Sequence, residues 1–591
     1  MSDAIRRMVA IGLVQGLVLW ALAWLVNSGR WPAGNAPVLL GLVYAGIAFP
    51  LSWYLSENIA GLSTRRRRAI VIGVGIATAI LGACEGWVTA DANGFPRPGT
   101  SVPACFALAF IAMPLLAHAR RAAPGTGHVL GLRWDYAGLF ETAWRNALVI
   151  AVAALLTGVF WGVLFAGAML MRSIGITRVL DLITAPFFIF VASAVVFAAA
   201  VALALARAET IVALRRFCLS LNQAFLPLVL LFAVMWTVAL PFTGVQALLD
   251  TGKAGLALLW FAALAVNFAN AARQDGVAAP PFTPWLRRAL LYAWLTLPVV
   301  VAVAAIAIYQ RVAQYGWTAD RVWSVFVLVM AAGYALGYSL SVWRPARGWM
   351  WSIDPTNIAM AAVLCVGLIA LSSPLADARR IGVASQLDRL LTGRIALRET
   401  DFIHGHDRSG IYGTRALQTL ADGVPGHPQA ERFARAARAQ LAGKLWEEGG
   451  LLEAPVATDD DIRARWQLLQ GDIPPPPALV DALLALLRAE ALPRVEDSCL
   501  EDGATCLLWM ADLDDDKQPE LVLIVDQSWR RHAFVYRWNP TTATLTPAGR
   551  IDGLTQAWIA GLRAGSASRP PAAWRDIQVG EQRLQVLPYA R

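Results

Sequence analysis

The chain is 591 residues long, 57% hydrophobic and only 15% charged, with 24 tryptophans and a net charge of +9. An average soluble domain carries about a quarter charged residues, so this balance excludes an ordinary soluble enzyme or binding module. The positive charge is mostly arginine in short loops between apolar segments, which points to membrane topology and away from nucleic acid.

Residues 1–7 are basic and lead into an apolar stretch with no small-residue cleavage site after it, so the stretch reads as a retained first span rather than a signal peptide. A bilayer core needs about 20 apolar residues per helix. Eleven windows meet that need: 8–26, 38–55, 69–88, 102–119, 147–171, 185–206, 225–245, 254–272, 289–308, 322–342 and 355–372. The fourth and eleventh have the shortest apolar centres and would also fit tilted or re-entrant segments. With the N-terminus in the cytoplasm, inside stretches hold 18 Lys and Arg and outside loops hold 7. The alternation runs along the whole chain, as the positive-inside rule requires. An odd count puts the two ends on opposite faces, so the tail is expected to be extracytoplasmic.

The run Arg65 to Arg68 reads as a topology determinant in preference to a lipid-binding patch. Residues 134–146 and 282–288 mix Trp with charge before a span and are expected to lie at the interface.

Ionisable and polar residues within spans are costly and are functional candidates by default. Glu85 lies near the outer end of the third span. Asn267 and Asn270 sit at i, i+3 in the eighth, and Asp354 and Asn357 lie at the inner end of the eleventh. A proton-coupled transporter would turn such groups toward a cavity. The alternative is headgroup contact for Glu85 and interhelical hydrogen bonds for the asparagines. At the outer surface, Arg311, Asp320 and Arg321 add charges that could form a shallow site with Glu85. Two outer loops, 174–179 and 315–322, share Gly-x-Thr followed by Arg-Val, a weak hint of internal duplication.

The Tyr315-Gly-Trp-Thr-Ala-Asp-Arg321 loop after Ala307-Ile-Tyr309 and the Ala143-Trp-Arg145 lead into the fifth span carry a resemblance. So do Leu387-Asp-Arg-Leu-Leu-Thr-Gly393 and Tyr412-Gly413 in the tail. Together they resemble a bacterial multi-pass membrane protein family catalogued as domain of unknown function 4153. The resemblance covers most of the chain. It implies a bacterial inner (plasma) membrane and a periplasmic tail, and brings no activity or catalytic residue with it. The chain departs from the family near His404-Gly-His406-Asp407, which is unusually histidine-rich.

The tail reads helical over 378–391, 409–420, 428–441 and 478–489, with the four prolines 474–477 as a break and boundary. After 495 the texture turns to short β-like runs at 506–510, 521–525, 533–538, 543–547 and 583–587. The acidic run joining the first two places Asp512, Asp514, Asp516, Gln518 and Glu520 at alternating positions of a tight loop. Converging carboxylates suit a hard cation such as Ca2+, and the run is similar to nine-residue calcium loops of dockerin-like and β-propeller-type repeats. It departs from them at Lys517, where Gly is usual. The rival reading is an acidic turn that holds nothing. Cys499 and Cys506 flank a short loop and favour a disulfide in an oxidising compartment. His404 and His406 could supply two metal ligands, but no further ligand spacing supports them.

The expected fold is an all-α polytopic membrane bundle of about 11 transmembrane helices, residues 1–372, followed by an α+β extracytoplasmic domain. The latter comprises a helical part, 377–474, and a β-rich part, 495–591. No Walker, HExxH or dinucleotide motif appears, so an enzyme is the less favoured class. Three functions stay open: transport or lipid and envelope handling with a periplasmic accessory domain; a sensor or scaffold binding Ca2+ or an envelope partner; and an envelope enzyme with a site at the outer surface. The expected partners are the lipid bilayer and an envelope protein or lipid.

Overall fold

The computed structural model describes residues 3–90, 101–121, 132–443, 459–488, 499, 505–566, 577–579 and 582–584, apart from 58, 252, 278, 396, 398, 399, 405, 428, 470, 528, 529, 552 and 553. The chain divides into two compact units, Met1–Gly443 and Lys444–Arg591.

The first unit is helical. It begins with α1 (Asp3–Asn27), α2 (Ala36–Leu55), α3 (Thr64–Thr89) and α4 (Ser101–Ala117). A two-stranded ribbon, β1 (Ala119–Arg121) and β2 (Leu132–Trp134), leads into α5 (Tyr136–Ser173). Then come α6 (Arg178–Thr184), α7 (Pro186–Ala206), α8 (Ala208–Thr243), α9 (Gln246–Asp250) and α10 (Ala254–Arg273). After them follow α11 (Pro284–Ala293), α12 (Thr296–Tyr315), α13 (Ala319–Trp343) and α14 (Ile353–Leu371). The unit ends with α15 (Ala378–Leu391), α16 (Asp401–His404), α17 (His406–Ala421) and α18 (Ala430–Leu441).

Among the described residues, ten helices are long and apolar enough to cross a membrane, counting α11 and α12 as one continuous span. The eleventh expected segment, α14, is among them. The fourth is shorter: α4 has 17 residues, about 25 Å at 1.5 Å per residue against a core of about 30 Å. It is nevertheless an inner helix, with Leu108, Ala109 and Met113 buried and α2, α3, α5 and α14 packed around it.

Small residues set the closest helix approaches. A Cβ on Gly82 would stand 2.6 Å from the Leu40 carbonyl oxygen, so only glycine lets α2 and α3 come this near. A second core gathers Trp294, Leu297, Val300 and Tyr338 where α8, α10, α12 and α13 meet.

Two boundaries differ from expectation. Residues 136–146 are continuous with the fifth span. From Tyr136 they are the first turns of the 38-residue α5, which at about 57 Å overruns the bilayer core. The second segment does form its own short helix, α11, with a turn at Trp294–Leu295 before α12. The compact units part at Gly443, not between 372 and 377. The helices after 377 stay with the bundle because α15 packs on α13 and α17 packs on α3.

The second unit contains α19 (Asp459–Arg465), β3 (Gln467–Leu468), α20 (Pro477–Arg488), β4 (Thr505–Ala511), β5 (Glu520–Gln527), β6 (Arg530–Asn539), β7 (Thr544–Ile551) and α21 (Gln556–Arg563), with a short β8–β9 ribbon (Ile577–Val579, Gln582–Leu584). Strands β3 to β7 form one sheet in sequence order, parallel only between β3 and β4. Alternate residues of β4 and β5 point to opposite faces. Cys506, Leu508, Met510, Leu521 and Leu523 meet α20, while Leu507, Trp509, Val522 and Ile524 meet α21. Covering both faces explains why these strands are almost wholly apolar. The four prolines mark no boundary between units: Pro477 begins α20, where its missing N–H costs nothing.

Candidate functional sites

Glu85 sits one turn from the end of α3 and is 1% exposed. Its carboxylate receives a two-pronged contact from Arg379: Nη1 donates to Oε1 at 3.1 Å and Nη2 to Oε2 at 2.9 Å. Arg379 also donates from Nη2 to Asp377 Oδ2 at 2.9 Å and from Nε to Asp377 Oδ1 at 3.1 Å. Asp377 caps α15, accepting from the Arg379 backbone N–H at 2.8 Å. Planar guanidinium forks suit such paired carboxylate contacts. Burial disfavours the Arg379 charge, but the Asp377 hydrogen bond and the Glu85 carboxylate outweigh it and hold its pKa above the ordinary arginine value. Glu85 is thus turned inward onto Arg379 and away from headgroup water. Sequence reasoning missed Asp377 and Arg379, although an Asp before a helical run is a capping signal.

The same helix end is gripped again nearby. Trp87 meets Tyr412 edge to face at 6.2 Å, and the Arg415 guanidinium lies 5.6 Å from the Trp87 ring. Gly410, at φ +56°, backs directly onto the Val88 carbonyl, where a side chain has no room.

The α12–α13 loop serves the other end of α15. Arg321 donates to the Gly316 carbonyl at 2.6 Å, and both Arg311 and Arg321 lie over the Tyr315 ring. Arg389 donates to the Gln314 carbonyl at 2.6 Å, and the Trp317 N–H donates to Ser385 Oγ at 3.1 Å. Asp320 is exposed in the first turn of α13, where a negative charge favours the helix dipole. Arg379 and Arg389 are ten residues apart on α15, about 15 Å. Gly382, one turn after Arg379, backs onto the Thr318–Ala319 backbone, so the start of α13 packs on α15 near the Glu85 contact as well.

The asparagines of α10 bond across helices. Asn267 Nδ2 donates to Asn222 Oδ1 of α8 at 2.9 Å. Asn270 Oδ1 accepts from Tyr338 Oη at 3.0 Å and from Asn357 Nδ2 at 2.6 Å. Asn357 Nδ2 also donates to Tyr136 Oη at 2.8 Å, and Tyr338 Oη donates to Asn357 Oδ1. The i, i+3 spacing puts the two residues on one side of α10 but about 60° apart, so they reach different neighbours. Next to this network Arg273 donates to Asp354 at 3.2 and 3.0 Å, tying α10 to the start of α14. Amides and phenols of this kind join α5, α10, α13 and α14 without an acid or base poised for chemistry.

In the second unit the acidic run forms the β4–β5 connection. Oxygens of Asp512, Asp514 and Glu520 lie within 4.8 Å of one another. Asp516 is not in that group: its Oδ1 accepts from the Gln518 N–H at 2.7 Å and closes its own turn. The Lys517 N–H donates to Asp512 Oδ2 at 3.0 Å and the Leu513 N–H to Glu520 Oε2 at 2.9 Å. Arg537 of β6 donates to Asp514 and lies 3.8 Å from Glu520, so a guanidinium already supplies positive charge to the cluster. The hydrogen bond to Asp514 and its charge raise the Arg537 pKa. Three carboxylates fit part of a calcium shell of six to eight oxygens, with Arg537 as an internal competitor. Asp515 and Lys517 both take left-handed backbone, at φ +62° and +67°. Cys499 and Cys506 form a disulfide beside α20. The side chains of His404 and His406 lie outside the described residues.

Comparison with known proteins finds no match: no family model fits the chain, and no curated protein or solved structure is significantly similar to it.

Proposed function

We propose that this chain is a membrane-embedded scaffold of the bacterial inner membrane, whose bundle and helical cap carry a C-terminal α+β domain for an envelope partner. The observation that carries this reading is the buried Glu85–Arg379 pair. The most costly intramembrane charge is used to fasten the cap, and Asn267, Asn270 and Asn357 are used to fasten helices to each other. A transport path would need polar groups turned toward a solute instead.

The same contacts support an orientation. A single 14-residue helix, α15, touches the end of α3 through Arg379 and the end of α12 through Arg389. Its length, about 21 Å, is too short to join opposite faces of a core of about 30 Å. The ends of α3 and α12 then share a face, and an even number of crossings separates them only if short α4 crosses too. This supports eleven crossings, with the N-terminus opposite the cap, as part of the proposal. Arginine alternation supports a cytoplasmic N-terminus. The Cys499–Cys506 bond supports an oxidising periplasm for the C-terminal domain. Membership of the family catalogued as domain of unknown function 4153 is part of the same reading.

The test is complementation. In cells lacking the protein, a chain ending at Gly443 should insert in the membrane yet fail to restore function, because the partner-binding domain is gone. Full function from that truncated chain would return activity to the bundle and favour transport.

A second reading, a cation-dependent switch, rests on the convergence of Asp512, Asp514 and Glu520. Ca2+ would bind these carboxylates by displacing Arg537, which would alter the β4–β5 surface available to a partner.

A further inference from the structure

A cavity of about 210 Å3 opens where the end of α7 meets the start of α8. Its walls combine Arg145 and Glu141 of α5 and Arg215 of α8 with apolar Val149, Leu205 and Ile211. We propose that this cavity binds the phosphodiester headgroup of an anionic lipid.

The charged wall is built, not incidental. Arg145 donates to the Leu55 carbonyl at 3.3 Å and to Asn146 Oδ1 at 3.1 Å, which fixes its guanidinium at the cavity edge. Arg215 is held 3.3 Å from Glu141, whose side chain remains 63% exposed. In the cavity wall two guanidiniums face one carboxylate, Glu141, while Glu57 also acts on Arg145 from outside it. Ala208, the first residue of α8, also lines the cavity, and no side chain caps that helix start, whose first turn carries Glu209.

The apolar surroundings select a lipid over a soluble phosphate compound. Val149, Ala204, Leu205, Ile211 and Val212 make the rest of its wall apolar. A headgroup in the cavity would run its glycerol and acyl chains along these side chains. Under the orientation proposed above, residues 207–216 face the cytoplasmic leaflet. Basic pockets between helices on that side take anionic headgroups.

The test uses the full-length protein in phosphatidylcholine nanodiscs with and without phosphatidylglycerol. Lipid retention is read by native mass spectrometry, and a photoreactive phosphatidylglycerol reports the place of contact. Phosphatidylglycerol should be retained in preference to phosphatidylcholine and should crosslink within 203–217. Arg215→Gln should weaken retention about fivefold, the effect of one surface cation, and Glu141→Gln should strengthen it by a similar factor. Glu141 is 63% exposed and Arg215 19%, and glutamine keeps a polar side chain at each position. The opposite signs separate charge recognition from general damage. Equal retention of the two lipids, or unchanged retention in Arg215→Gln, would overturn the proposal. Displacement by soluble glycerophosphate as effective as by lipid would overturn the lipid source. Failure here leaves the scaffold reading intact, since that reading is tested by the truncated chain.

Discussion

Glu85 and Arg379 lie 294 residues apart in the chain and meet through two hydrogen bonds, at 3.1 and 2.9 Å, with Glu85 almost wholly buried. Breaking a buried pair by removing one partner leaves an uncompensated charge, at a cost of about 3–5 kcal/mol. Arg379→Leu strands two buried carboxylates and should reach that range. Glu85→Gln keeps the Arg379–Asp377 contact and should cost about 1–2 kcal/mol. Thermal unfolding of the purified protein in detergent measures both. Equal losses would refute the lock as described.

The Asn270–Asn357–Tyr338–Tyr136 network predicts a graded response. Interhelical hydrogen bonds in membranes average about 0.6 kcal/mol. Asn357→Leu removes its bonds to Tyr136, Asn270 and Tyr338 together and should destabilise the bundle by about 2 kcal/mol. Asn267→Leu removes one exposed bond to Asn222 and should cost well under half as much. The same detergent unfolding assay ranks them.

Lys517 holds a backbone conformation that glycine adopts without strain. Left-handed backbone costs a side-chain-bearing residue about 1–2 kcal/mol, partly offset by the entropy glycine loses on folding. Lys517→Gly should therefore stabilise residues 444–591 by about 0.5–1 kcal/mol. Urea unfolding of that unit reads the gain, and a loss would mean the lysine side chain holds the loop.

Calcium binding to Asp512, Asp514 and Glu520 would compete with Arg537. Millimolar Ca2+ should raise the melting temperature of residues 444–591, and raise it further in Arg537→Gln. No shift in either protein sinks the cation reading and leaves an acidic turn neutralised by arginine.

The disulfide closes a short loop between residues 499 and 506. Chain-entropy arguments give such a loop about 2–3 kcal/mol. Cys499→Ser with Cys506→Ser should then lower the melting temperature of the second unit by about 5–10 °C, and reductant should do the same to the wild type. An unchanged melting temperature in the double mutant would refute this contribution.

Local pattern made much of the fold readable. Runs of apolar residues marked the spans, because a helix in lipid must satisfy its backbone within itself. Short apolar runs at 506–510 and 521–525 marked β4 and β5, and an Asp-rich stretch between them marked the turn. The spacing of Asn267 and Asn270 placed them on one side of α10, but not which neighbour each would reach. Residues 136–146 have the Trp-rich, charged composition of an interfacial segment, and composition does not reveal that they are continuous with the spanning helix.

By itself, then, the sequence determined what depends on neighbours along the chain: the helical membrane class, the strands, the short cysteine loop and the acidic turn. Only the tertiary structure decided what each costly residue is for. The partner of Glu85 is 294 positions away, and the partner of the Asp514–Glu520 cluster is Arg537 on another strand. Hydropathy and periodicity are sums over a few turns, whereas a buried charge is settled by whichever side chain packing brings within 3 Å of it. That is why α15 reads as the start of a separate tail in sequence yet belongs to the membrane unit once Arg379 is seen on Glu85.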